Sequence, residues 1–132
     1  MLALFFELTH RVLLTRYTGS FTSKDIDATD AAVIRFVGRE GPVRGILDFS
    51  EVDAFNVSKE QWVARARQPQ IAAGQERVFI VNKPELVAAA QVFVMLQQEL
   101  GGLAPRIVST QDEANTSLGM LHPEFVPLES LN

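Results

Sequence analysis

The segment from Arg77 to Val81 constrains the fold most, because after its first residue it is an unbroken run of β-branched and aromatic side chains. Such a run is typical of a strand that is covered on both faces, as in a sheet between layers of helices. A helical pattern follows at once, with Asn82 as its expected cap and Pro84 in its first turn. Its apolar positions repeat at helical spacing as far as Gly101 and Gly102: Leu86, Ala90, Phe93, Leu96 or Gln97, and Leu100. A buried strand followed directly by a helix predicts an α/β fold.

The rest of the chain alternates strands and helices in the same way. Its turn and cap residues predict further strands at about Leu4 to Leu8, Val12 to Tyr17, Val43 to Asp48 and Arg106 to Ser109. They predict helices from Thr22 or Ser23 to about Val37 with Gly38 as the stop, from the capping box of Ser58 and Gln61 to near Pro69, and from that of Thr110 and Glu113 to Leu118. The expected order is ββαβαβαβα, a single-domain α/β sandwich with one mixed β-sheet and helices packed on it. This domain should span residues 1–118, and an irregular tail broken by two prolines should occupy residues 119–132.

Length and composition exclude several classes of protein. The chain has 132 residues, 47% of them hydrophobic, which is enough for one domain with its own core. It has no Cys, so it holds no disulfide, no thiolate nucleophile and no cysteine-ligated metal. The net charge of -4 is the wrong sign for affinity based on phosphate neutralisation, so no nucleic-acid partner is expected. The longest apolar run, Met1 to Phe6, is far shorter than the ~20 residues of a membrane span, and a soluble, cytoplasmic protein is expected.

Four segments, taken in order, resemble the STAS domain, the fold of anti-sigma-factor antagonists, and in particular its SpoIIAA-like bacterial relatives. They are Tyr17 to Thr22, Gly45 to Val52, Val78 to Val81, and Ser109 to Ala114, and together they span most of the chain. The resemblance implies a STAS-like sandwich in a bacterial regulatory protein that has no enzymatic activity and acts through contacts with a protein partner.

The same resemblance implies a phosphorylation site. In phosphorylatable STAS proteins a motif of the type Asp-Ser-Ser/Thr-Gly follows a Leu-Asp-x-Ser strand, and a partner kinase phosphorylates its hydroxyl at the start of a helix. The corresponding stretch here places Ser58 at that hydroxyl, although Asn56, Val57 and Lys59 replace the aspartate, the first serine and the glycine. The implied interaction surface consists of Asp53, Asn56, Ser58 and Lys59. From the capping pattern alone, a simple helix cap at Ser58 is the favoured interpretation.

Two clusters of acidic residues are candidates for a metal site or an acid-base site. Asp25, Asp27 and Asp30 lack the glycine and the final glutamate of a calcium loop, and helix-start acids explain them better. Asp48, Glu51 and Asp53 follow a strand, where open α/β sheets place ligands, and could form an acid-base or magnesium site. Solvated loop acids are favoured, and we expect no metal, no cofactor and no catalytic residue.

Histidines and arginines give no stronger signal. His10 lies at the expected turn between the first two strands and His122 lies in the tail, and both are expected on the surface. Arg65, Arg67 and Arg77 could form a small anion-binding patch, but solvated surface is the favoured interpretation.

The helix after Pro84 has more apolar residues than one sheet-facing stripe requires. Val87, Val94 and Met95 are the surplus, and they are the candidate residues for an apolar ligand or an interface. Cover by another part of the chain, such as the tail residues Leu121, Phe125, Val126 and Leu128, is favoured, and a homodimer ranks second.

Three functions are therefore kept. The leading one is a non-enzymatic regulatory or protein-interaction module, with phosphorylation of Ser58 as a subsidiary switch. The alternative is binding of a lipid or other apolar small molecule between helix and sheet. A hydrolase that uses Asp48 or Ser58 ranks third.

Overall fold

A mixed sheet of six strands forms the centre of the computed structural model, which describes residues 1–72 and 74–128. The strands are β1 (Leu2–Glu7), β2 (Val12–Thr22), β3 (Arg44–Asn56), β4 (Arg77–Ile80), β5 (Arg106–Val108) and β6 (Val126–Pro127). The helices are α1 (Ser23–Glu40), α2 (Lys59–Ala66), α3 (Pro84–Glu99) and α4 (Gln111–Ser117). The expected α/β sandwich in one domain is confirmed, with one additional strand at its end. Within the described residues, no helix is long and apolar enough to cross a membrane.

The strand order in the sheet is β5-β4-β3-β2-β1-β6. Strands β2, β3, β4 and β5 run parallel to one another, whereas β1 pairs antiparallel with both β2 and β6. Each parallel pair is joined through a helix, because parallel neighbours need a crossover connection. Strand β4, the unbroken apolar run, lies between β3 and β5 and is buried at Val78, Phe79 and Ile80.

The two faces of the sheet have different covers. One face carries α1, α2 and α3, and its core includes Tyr17, Phe49, Phe79 and Phe93. The other face packs against α4 through a smaller cluster that includes Val12, Ile46, Val78, Ala114 and Leu118. Alternate residues of one strand serve opposite faces, as the two-residue period of a strand requires.

Two helix boundaries differ from the sequence prediction. Helix α1 continues past Gly38 and ends at Glu40; its C-cap, Gly41, has a φ of 85° and donates its N–H to the Val37 carbonyl at 2.8 Å. A positive φ of this kind favours glycine, and Pro42 cannot continue the helix. Helix α3 is capped at Lys83 instead of Asn82, with no hydrogen bond from the cap side chain to the helix.

Strands β2 and β3 are longer than predicted. The prediction that the second of them ends at Asp48 is wrong, because β3 continues to Asn56 beside β2, which itself reaches Thr22. The pairing shifts register twice, and each time β3 contains one extra residue, which is a β-bulge. The polar residues Ser50 and Glu51 therefore belong to a strand whose next residue, Val52, is only 1% exposed.

The tail is more ordered than expected at one point. Val126 and Pro127 pair with Phe6 and Phe5 at the edge of the sheet. Proline suits an edge strand, because it has no N–H to donate to a further neighbour. Residues 129–132 of the expected tail lie outside the described residues.

Candidate functional site

Ser58 lies at the exposed corner between β3 and α2. Its Oγ accepts a hydrogen bond from the Gln61 N–H at 3.1 Å, and the Gln61 side chain accepts one from the Ser58 N–H at 3.4 Å. This reciprocal pair is the predicted capping box, and it satisfies N–H groups that would otherwise lack partners. The expected cap is confirmed by the structure.

The four residues Asp53, Asn56, Ser58 and Lys59 are all exposed and are called the Ser58 surface below. Asp53 and Asn56 lie on the part of β3 that extends beyond β4, and Lys59 is the first residue of α2. Asn56 donates a hydrogen bond from its amide to the Ser20 hydroxyl at 2.6 Å, which links this surface to the end of β2.

An aromatic cluster formed by Phe55, Trp62 and Phe93 lies beneath the Ser58 surface. Trp62 of α2 is buried, and its indole N–H donates to the Ala89 carbonyl of α3 at 2.9 Å. Its ring centroid is 5.0 Å from that of Phe93 and 5.2 Å from that of Phe55. Aromatic pairs at these distances stabilise a fold beyond the contribution of their buried area, so the start of α2 is held against β3 and α3.

Comparisons with known proteins identify the fold from its overall geometry. No protein-family model matches the chain, and no curated protein is significantly similar to it in sequence. Solved structures that match it include the anti-sigma factor antagonist SpoIIAA in its unphosphorylated form, at 12% identity and a TM-score of 0.58, and the Bacillus cell fate determinant SpoIIAA in the phosphorylated form, at 16% identity and a TM-score of 0.57. The matches cover 89% of this chain, and 96% and 99% of those chains. The chain has a STAS-like fold.

In this STAS-like fold, the acidic cluster expected after the strand does not form a site. Asp48 is 3% exposed and pairs with Arg16, whose Nε is 3.1 Å from its Oδ2, while its Oδ1 accepts the Ser50 N–H at 2.9 Å. Glu51 and Asp53 are exposed on the strand beyond it. The interpretation of Asp48 as a solvated loop acid is therefore wrong: it is a buried side chain that supplies a partner for backbone at the first β-bulge.

The other acidic cluster follows the sequence prediction only in part. Asp25 caps the start of α1, accepting the Thr22 N–H at 2.9 Å. Asp30, one turn later, holds Arg65 of α2 through two hydrogen bonds of 2.9 and 3.0 Å. Among the described residues, no three His, Asp or Glu side chains are grouped closely enough to hold a metal ion.

The three arginines considered as an anion patch have different environments. Arg67 is exposed, as expected, but the Arg65 side chain is only 16% exposed. Arg77 lies on the face of the sheet that carries α1, α2 and α3. Burial there, and then the positive charge of Arg65, lower the pKa of Arg77 to about 10. The prediction of solvated surface is therefore wrong for Arg65 and Arg77.

Surplus apolar residues of α3 are not covered by the tail. Phe125 packs on the opposite face of the sheet with the α4 cluster, and Leu121 is 81% exposed. Val87 contacts the main core, whereas Met95 remains 51% exposed. The expected intramolecular cover of Met95 by these two tail residues is therefore wrong.

The histidines lie near the surface, and in the part of the chain that the structure describes neither has a nucleophile among its hydrogen-bond partners. The Nδ1 of His10 is 2.9 Å from the Oε2 of Glu7, and the Glu7 side chain is 4% exposed. His122 is exposed in the tail.

One feature of the site was missed by sequence reasoning. A cavity of about 110 Å³, called the α1–α2 cavity below, lies between α1, α2 and the sheet. Its walls include Val33, Trp62, Leu47 and Phe79, and Arg77 lines it. Val87, Val94 and Met95 do not line it. Gly45, inside a strand, was the only local signal of the cavity, because such a glycine often marks a position that a ligand or another backbone segment approaches closely.

Proposed function

We propose that this protein is a non-enzymatic regulatory module that binds a protein partner through the Ser58 surface, and that phosphorylation of Ser58 changes its affinity for that partner. The observation that carries the proposal is the exposed hydroxyl at the start of α2, directly after the long strand β3, in a chain with a STAS-like fold. SpoIIAA, which shares the fold, is an anti-sigma factor antagonist with an unphosphorylated and a phosphorylated form.

The chemistry of the helix start supports a phosphate there. Backbone N–H groups at the first turn of α2 point toward Ser58, and the helix dipole is positive at this end. The side chain of Lys59 is adjacent and exposed. A phosphoryl group would replace the present bond from the Gln61 N–H with stronger, charge-assisted ones.

The charge of the surrounding segment explains why a phosphate would change binding. Residues 51–60 contain three acids, Glu51, Asp53 and Glu60, and one base, Lys59, so their sum is -2. A phosphoryl group adds about 1.5 to 2 further negative charges at neutral pH. The electrostatic potential of the surface would therefore change strongly without any change of fold, which is what a partner senses.

The first experiment asks whether the modification occurs. The protein is purified from the cells that make it, at several growth stages, and its intact mass is measured. We expect a fraction with one added phosphoryl group, which is lost in Ser58→Ala and kept in Thr110→Ala. Thr110 is a matched control, because it also caps a helix by accepting an N–H at 3.1 Å from the third residue beyond it. A phosphorylated Ser58→Ala variant, or no phosphorylated fraction at any stage, would exclude the switch.

The second experiment tests the docking surface itself. A partner captured by the wild-type protein is identified and purified, and its dissociation constant is measured with Ser58→Glu, Lys59→Glu and Thr110→Glu. We expect at least a five-fold change for the first two variants and less than two-fold for the third. Equal binding by all four proteins would show that the partner docks elsewhere.

A hydrolase is less well supported, because Asp48 is engaged with Arg16 and the Ser50 backbone on the opposite side of the sheet from the main core. A homodimer through Met95 stays a prediction, which sedimentation of wild type and Met95→Glu would test. The alternative of an apolar ligand is supported by the α1–α2 cavity more than by Val87, Val94 and Met95.

A further inference from the structure

The α1–α2 cavity combines apolar walls with open space at its floor. Leu47 and Phe79 of the sheet face Val33 and Trp62 of the helices across it. Gly45 contributes no side chain to the floor, and a Cβ placed there would lie 3.8 Å from the Arg77 Cγ and from the Leu13 carbonyl oxygen. These are ordinary contact distances, so the backbone leaves space for a β-carbon at this position.

Arg77 differs from the other arginines that line the cavity. Arg65 is paired with Asp30, and the Nη1 of Arg44 lies 3.7 Å from the Oε1 of Glu76. Arg77 has no carboxylate partner among the described residues, and its Nη2 donates to neutral oxygens only: that of the Gln97 side chain at 2.8 Å and the Leu103 carbonyl at 3.1 Å.

The Nε of Arg77 is buried without any hydrogen-bond partner in the described part of the chain. An unpaired buried donor on a charged group is costly, and nearly all such groups in folded proteins find a partner. Burial and the charge of Arg65 lower the Arg77 pKa to about 10, which shows that its positive charge is poorly compensated. An anion in the cavity would supply the opposite charge that the Arg77 guanidinium lacks among the described residues.

We propose that the α1–α2 cavity binds a small monocarboxylate with an apolar body, whose carboxylate pairs with Arg77. Arginine donors match a carboxylate in geometry as well as in charge. The apolar walls exclude a strongly hydrated dianion such as inorganic phosphate, whose second charge would find no partner. An amine would be repelled by the lining arginines, which outnumber the one lining carboxylate, Asp30.

The cavity volume limits the ligand to a short chain. A cavity of about 150 Å³ lined by apolar side chains accepts benzene, which has six heavy atoms, so about 110 Å³ holds an apolar body of roughly four or five heavy atoms. This site and the Ser58 surface involve different residues, so either can exist without the other.

The test uses pentanoate and hexanoate as probes, with hexan-1-ol and hexylamine as uncharged and cationic controls. Trp62 lines the cavity and is the only tryptophan, so its fluorescence reports binding, and two-dimensional amide NMR locates it. We expect saturable binding of both acids, at least ten-fold tighter than that of the alcohol, and no binding of the amine. Dodecanoate, the probe for a lipid source, should gain nothing over hexanoate. Much tighter binding of dodecanoate would overturn the assignment of a small ligand.

Three variants assign the site. Arg77→Gln should weaken hexanoate binding at least ten-fold, whereas Arg67→Gln, an exposed arginine outside the cavity, should change it less than two-fold. Gly45→Val should abolish binding by filling the floor, since its Cβ lies at an ordinary contact distance from the Arg77 Cγ and its two methyl groups extend beyond that. If Arg77→Gln does not fold, Gly45→Val decides alone. Equal binding of acid and alcohol, an equal loss in Arg67→Gln, or unchanged binding in Gly45→Val would each overturn the proposal.

Discussion

The side chain of Asp48 should hold the first β-bulge of β3 together, and its removal gives the sharpest test of how this fold is built. The extra residue of a bulge lacks a partner in the adjoining strand, and Asp48 Oδ1 accepts the Ser50 N–H at that point, at 2.9 Å. Its Oδ2 is bound by Arg16, whose side chain is 34% exposed and lies over the Phe5 ring.

The cost of Asp48→Ala follows from these two contacts. A hydrogen bond to a charged group contributes about 1.5 to 3 kcal/mol. The ion pair adds about 0.5 to 1 kcal/mol, because the exposed third of Arg16 remains solvated after the pair is broken. Asp48→Ala should therefore lower the free energy of unfolding by about 2 to 4 kcal/mol, and Asp48→Asn, which keeps a neutral acceptor, by about 1 to 2 kcal/mol.

Urea denaturation followed by the fluorescence of the buried Trp62 measures both values. The expected shift of the Asp48→Ala midpoint is about 1 to 2 M urea toward lower concentration. Asp53→Ala and Asp53→Asn are matched controls, because they remove the same charge from an exposed position of the same strand, and they should stay within about 0.5 kcal/mol of wild type. An Asp48→Ala midpoint equal to that of Asp53→Ala would refute the role assigned to Asp48.

Three further predictions follow from single contacts. Ser58→Ala should lower the free energy of unfolding by about 1 kcal/mol through loss of the α2 cap, and Ser58→Asp should restore most of it; urea titration that shows no loss in the alanine variant would contradict the cap. Burial raises the pKa of the Tyr17 hydroxyl. As the pH rises above about 10, the unfolded chain therefore releases the hydroxyl proton while the folded chain retains it, and the free energy of unfolding falls. Tyr17→Phe should therefore be about 1 kcal/mol less stable at pH 7, where it lacks the bond to Thr29, yet lose less stability than wild type between pH 9 and 11; parallel pH slopes would argue against this. Trp62→Phe should lose about 1 kcal/mol with its bond to the Ala89 carbonyl, measured by circular dichroism, and an unchanged melting curve would contradict that bond.

The elements and their order could be predicted from local patterns. The apolar run of β4, the spacing of Leu86, Ala90 and Phe93 in α3, and the capping box at Ser58 each involve residues close in sequence. Their physical causes, side-chain period and helix-end hydrogen bonding, act over a few residues. For the same reason, the sequence alone predicts that Ser58 lies at the boundary between a strand and a helix.

Strand length could not be predicted in this way. Ser50 and Glu51 look like the start of a loop, but β2 continues beside them and supplies the backbone partners that make this segment a strand. Pairing of this kind joins residues more than 30 positions apart, and a polar side chain on its exposed side leaves no local trace. The edge strand β6 escaped prediction for the same reason, since its pairing depends on Phe5 and Phe6 at the other end of the chain.

By itself, the sequence determined strands β1 to β5, the four helices, their order, and the hydroxyl that begins α2, because local periodicity and capping decide these. Tertiary structure alone decided the environment of Arg77, since its neighbours Gln97 and Leu103 come from a helix and a loop at least 20 residues away. Desolvation and unpaired donors arise only when distant elements pack, so a buried charge at a cavity wall has no signature in the order of amino acids.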